Sequence, residues 1–122
     1  MRDSKKHNSR RNTARKNLHR NKAHLDALIG EAIVDAYNES EQTVGFYTMM
    51  ENSLALPFET EVLGVKVTVG RIDMNEGDAI VPVCRHGSKR QRIPILDLPL
   101  PSPAPGGAEW IAAYRYWRTG RT

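Results

Sequence analysis

A chain of 122 residues suffices for one domain with a modest core and a tail. Its charge is divided: residues 1–24 carry nine Lys or Arg against Asp3 alone, a formal +8, so the +4 of the whole chain leaves −4 on residues 25–122. The single cysteine, Cys84, excludes an intramolecular disulfide and a cysteine-based zinc site, and no apolar run approaches the ~18 residues of a membrane span.

The basic arm comes first. After Met1, residues 1–22 hold no apolar side chain except Ala14 and Leu18. Such a segment cannot bury enough surface to offset its ordering entropy, so residues 1–24 are expected to be a disordered arm ahead of a folded domain, 25–122. Arg10, Arg11, Arg15, Lys16 and Arg20 are its candidate contacts to nucleic acid or another polyanion, through phosphates rather than base edges. The arm lacks the apolar stretch of a secretory signal, and a reducing cytoplasm is the expected compartment.

From Leu25 a helical period sets in. Leu25, Leu28, Ile29, Ala32, Ile33 and Ala36 form the apolar stripe, with Asp26, Glu31 and Asp35 off it. Asn38 followed by Glu41 has the spacing of a capping box, so the chain either bends near Asn38 and starts a second helix or runs through. On a continuous helix Asp35 and Glu39 would project from one face and repel. The second stretch is expected to bury Phe46, Tyr47, Met50 and Leu54. Gly45 in its middle costs about 1 kcal/mol relative to Ala, which points to a close helix contact. Pro57 stops the helix.

After Pro57 the period changes from 3.6 to 2. Glu59–Leu63 reads as a short strand, and Val65, Val67 and Val69 alternate with polar or small residues as a half-buried one. Asp73–Asp78 is a turn. Ala79–Cys84 is a strand placed at an edge by Pro82. His86-Gly-Ser88 turns the chain, and Arg90–Leu96 returns. Residues 97–107, with four prolines and two glycines, form an extended connector. A last helix from Ala108 carries Trp110, Ala113, Tyr114 and Trp117 on one stripe. The expected class is α+β: N-terminal helices, a small antiparallel sheet or SH3-like barrel, and a C-terminal helix.

The residues do not favour an enzyme. No Ser, His and acid set forms a local motif, and Gly106-Gly107 lacks the Lys and Ser/Thr of a phosphate loop. Oxygen ligands are better represented. Asp35, Asn38, Glu39 and Glu41 supply four oxygen-bearing side chains within seven residues, and Asp73, Asn75, Glu76 and Asp78 supply four more. The turn is no EF-hand, because its glycine comes fifth and the twelfth position is Cys84.

The stretch IVDAYNESEQTVGFYTMMENSLALPF resembles the signature of CcbP-type calcium-binding proteins. VTVGRID, the Gly-Asp before AIVPV, and RQRIPILDL resemble that family's sheet, and AEWIAAYRYW its final helix. The resemblance covers about residues 29–118. It implies a non-catalytic calcium-ion binding protein, a buffer or sensor, with Asp35, Glu39 and Glu41 as ligands. Family members carry a longer insertion after Pro-Phe and a more acidic inter-strand loop than Asp73–Asp78. The basic arm is no part of the pattern.

Overall fold

The computed structural model describes residues 21–120. The arm residues Arg10, Arg11, Arg15, Lys16 and Arg20 lie outside them. Within the described range the elements are α1 (helical over 21–32), α2 (Glu39–Ser53), four strands, β1 (Phe58–Val62), β2 (Val65–Met74), β3 (Ile80–His86) and β4 (Lys89–Arg92), a 3-10 turn (Ile95–Asp97) and α3 (Glu109–Arg118). This is the α+β arrangement expected, with helices at both ends of the chain and the sheet between. Asn21–His24 are already helical although largely exposed.

Two helices, not one, carry the acidic signature. α1 closes at residue 32, and Asp35 takes φ +61°, which ends any continuation. Asn38 is extended, and its side chain caps α2 by accepting from the Glu41 N–H at 2.8 Å. The two helices then meet at a glycine. A Cβ on Gly45 would collide with the Ala32 backbone carbonyl, so the α1–α2 approach exists only because position 45 has no side chain. α2 ends at Ser53, ahead of Pro57, where the Ala55 N–H donates to the Gly106 carbonyl at 2.8 Å instead of to its own helix.

The sheet is an antiparallel meander in the order β1-β2-β3-β4. β1 and β2 are joined by Leu63-Gly64, both with positive φ (50° and 77°), as a tight I′-type hairpin requires. Among the described residues β1 and β4 are the sheet's edges and do not pair with each other, so the sheet is open and no barrel forms. β4 is too short to close one: Pro94 follows it and the chain turns into the 3-10 segment, where a strand to Leu96 was expected. Pro82 is also not at an edge. It sits in β3, between β2 and β4, opposite Ile72. Its carbonyl accepts from the Ile93 N–H at 3.1 Å, so its missing N–H faces the same side, where the β4 ladder is ending.

The core lies between the helices and one face of the sheet. Ile29 and Ala32 of α1, Phe46 and Met50 of α2, Val67, Val69, Ile72, Ile80 and Cys84 of the strands, and Trp110, Ile111, Ala113 and Tyr114 of α3 form one buried cluster. Phe46, Tyr114 and Trp117 bring their rings within 5.0–5.9 Å of one another, which fastens α3 to α2. Tyr47 and Trp117 are half-buried at the margin. The connector is held by Thr60, whose hydroxyl donates to the Pro99 carbonyl at 2.6 Å.

Candidate metal centre

Asp35, Glu39 and Glu41 lie along the α1–α2 bend and the first turn of α2, but each is held differently. Asp35 is exposed at the left-handed residue between the helices. Glu39 opens α2, and its Oε1 accepts from Arg118 Nη1 at 2.8 Å, tying the start of α2 to the end of α3. Glu41 completes the cap: its Oε2 accepts from the Tyr37 N–H at 2.8 Å, and its Oε1 lies 3.4 Å from Asn38 Nδ2. Carboxylates in this first turn also complement the positive end of the helix dipole. Asp35 and Glu39 therefore do not share one helical face, and the bend at Asn38 is the alternative realised.

A second acidic segment reaches the same place. Ser40 Oγ donates to Asp78 Oδ2 at 2.9 Å, bringing the β2–β3 turn against the first turn of α2 across 38 residues of sequence. The turn is internally braced. Asn75 Oδ1 accepts from the N–H groups of Gly77 (2.9 Å) and Ala79 (3.0 Å), and Asp78 takes φ +60°. Asn75 is thereby spent on the backbone. Asp73 is engaged elsewhere, accepting on Oδ2 from Arg71 Nε and Arg92 Nη2, both at 3.3 Å.

Farther along α2, the Tyr47 hydroxyl lies 2.9 Å from Glu51 Oε2 and 3.2 Å from the Ile72 carbonyl. The bond to Glu51 raises its pKa, with burial and the charges of Glu51 and Asp73 acting the same way. This phenol stays protonated and fixes α2 to β2.

The donor chemistry around the α2 start suits a hard cation: carboxylates of Asp35, Glu39, Glu41 and Asp78, the Ser40 hydroxyl, and backbone carbonyls at the bend. The geometry is not a closed cage. Among the described residues no three His, Cys, Asp or Glu side chains stand close enough together to hold an ion as they are. Glu39 and Glu41 both have other partners, and a cation would take them in competition with Arg118 and with the cap. Ser40 and Arg118 are not singled out by the sequence, and Asp78 is an oxygen donor of its own turn there, not a neighbour of the α2 start. Their contacts span 38 and 79 residues, and no local spacing announces them.

A family model described as calcium binding, of the CcbP type, matches residues 26–118. No curated protein and no solved structure matches the chain. The matched range takes in α2, all four strands, the connector and α3, and with them both acidic segments. The chain belongs to the CcbP family of calcium-binding proteins.

Proposed function

We propose that the chain is a non-catalytic calcium-binding protein that takes the ion at the α1–α2 bend, through Asp35, Glu39 and Glu41, with Asp78 completing the set. The observation that carries this reading is the Ser40–Asp78 hydrogen bond, which sets the acidic turn beside the acidic helix start. Calcium accepts six to eight oxygens in flexible geometry, so carbonyls and water can fill the positions that carboxylates leave. Magnesium demands a tighter octahedral shell and parts reluctantly with its water.

The Glu39–Arg118 ion pair favours a sensor over a buffer. A carboxylate that turns to an ion gives up its earlier partner. Here the partner belongs to α3, so occupancy at the bend is felt at the last helix. The test is calorimetric titration of the metal-free protein with calcium and, separately, magnesium, together with a melting curve for each. Heat of binding and a raised melting temperature with calcium, both weaker with magnesium, support the reading. Neither heat nor a thermal shift at millimolar calcium overturns it.

A further inference from the structure

The face of the sheet turned away from the core carries an arginine grid. The register places Arg85 of β3 directly opposite Arg90 of β4, and Val83 opposite Arg92. On the other side of β3, Val83 faces Arg71 of β2, and Arg85 faces Thr68. Directly opposed residues lie on the same face of an antiparallel pair. Arg71, Arg85, Arg90 and Arg92 therefore surround Val83 on three adjacent strands. Val81 and Val83 are buried but stand apart from the core cluster, as expected where long arginine stems cover them.

Two features make this more than a solvated surface. Like charges directly opposite each other on neighbouring strands destabilise a sheet. Yet among the described residues neither Arg85 nor Arg90 has a carboxylate within ion-pair distance, and the only acid engaged on the grid is Asp73, through Arg71 and Arg92. Glu59 and Glu61 of β1 share the face but are separated from Arg85 by β2. Second, the surface is concave. Gly70 falls at the register shift between Val69 and Arg71, has no neighbour within 4 Å of where a Cβ would stand, and with Arg71, Val83, Arg85 and Arg90 lines a depression of about 130 Å³.

We propose that this face binds the phosphodiester backbone of nucleic acid, independently of base sequence. Exposed arginines hold a single small anion weakly, because solvent screens each of them. A polyanion engages several at once and gains from the counterions released. On this face the positive charge is spread over three strands, Arg71 of β2, Arg85 of β3 and the exposed Arg90 and Arg92 of β4, and not gathered at one point. The rows around Val83 hold Thr68, Asp73, Val81 and arginines but no aromatic ring on which a base could stack, so the contact is to backbone. The surface is independent of the calcium-binding reading and of the segment before residue 21.

The test uses the full chain and a fluorescein-labelled single-stranded DNA oligonucleotide, with anisotropy read over a series of salt concentrations. The double variant Arg85→Glu/Arg90→Glu is compared with the parent and with a variant in which Arg10, Arg11, Arg15, Lys16 and Arg20 are all glutamine. The sheet variant should bind about tenfold more weakly, and its salt slope should be shallower by roughly 0.7 for each phosphate it no longer neutralises. Oligonucleotides of different sequence should bind alike. Where reversed charges prevent folding, Arg85→Gln and Arg90→Gln serve. Each removes a repulsion, so the protein should melt no lower than the parent while the salt slope still falls. Affinity and slope unchanged in the sheet variants, with weakened binding only in the arm variant, overturn the proposal. So does displacement of the oligonucleotide by inorganic phosphate at equal charge concentration, or binding confined to anionic phospholipid vesicles.

Discussion

Gly45 of α2 lies against the backbone carbonyl of Ala32 at the end of α1, with no room for a single added carbon. Helix propensity alone would reward Ala at this position by about 1 kcal/mol. The packing reverses that sign. Gly45→Ala should destabilise the protein by about 1–3 kcal/mol, since the obstructing atom is backbone and the helices must move apart. Urea unfolding monitored by circular dichroism checks this. Stabilisation by the variant would mean that α1 does not sit on α2 in solution.

The aromatic junction between α2 and α3 gives a second prediction. Trp117 packs near Phe46, with ring centroids 5.0 Å apart, and near Tyr114 at 5.9 Å, yet it is only half-buried. Full burial of such a ring would make truncation cost about 3–5 kcal/mol. Trp117→Ala should cost less, about 2–3 kcal/mol, read as a lower melting temperature. A variant melting within a degree or two of the parent would show that α3 is held by Trp110, Ile111 and Tyr114 alone.

What the sequence disclosed follows the range of the interactions. The bend at Asn38 depends on Glu41 three residues later, and the Leu63-Gly64 hairpin on two adjacent residues, so both are written locally. Gly45 is legible as a misfit: a poor helix former kept inside a helix needs a reason, and Ala32 is that reason. Pro82 misleads because its strand placement depends on where β4 stops, which local pattern does not record. The candidate centre divides in the same way. Asp35, Glu39 and Glu41 are close in sequence. That Asp78 meets Ser40 and Arg118 pairs with Glu39 depends on pairings spanning 38 and 79 residues. The arginine grid needs the strand register before Arg85 and Arg90 are seen to be opposite.

Alkaline pH should expose the buried weak acids. Burial raises the pKa of Cys84 above its ordinary 9.0. Burial likewise raises Tyr114 above 10.0, with Arg118 opposing and Glu39 adding to the shift. Each group thus keeps its proton longer in the folded chain than in the unfolded one. The stability this contributes is complete below the unfolded pKa and is lost as pH rises through the folded one. Melting temperature should hold steady up to about pH 9 and fall above it. Tyr114→Phe keeps the ring against Phe46 and removes the ionisable hydroxyl, so its alkaline decline should be shallower. An identical decline in the variant would place the effect on other groups.

The last prediction separates ligand from structural acid at the bend. The Glu39–Arg118 pair is short, 2.8 Å, but both side chains are well exposed, 74% and 49%. Such pairs contribute about 0–1 kcal/mol to stability. Arg118→Gln should therefore leave the melting temperature of the metal-free protein nearly unchanged. If Glu39 is a calcium ligand, the same variant should bind calcium more tightly, by up to about fivefold, because the ion no longer competes with a guanidinium for the carboxylate. Asp35→Asn supplies the opposite arm. Asn tolerates the left-handed backbone at φ +61° as well as Asp does, so the substitution introduces no strain. It removes only the charge, and should weaken calcium binding while leaving the metal-free protein as stable as before. Titration gives the affinities, and the calcium-dependent rise in melting temperature gives them again through its logarithmic dependence on ligand excess. Unchanged affinity in Arg118→Gln would remove Glu39 from the ligand set. Unchanged affinity in Asp35→Asn would remove Asp35, leaving the helix cap and the Asp78 turn as the place to look for the ion.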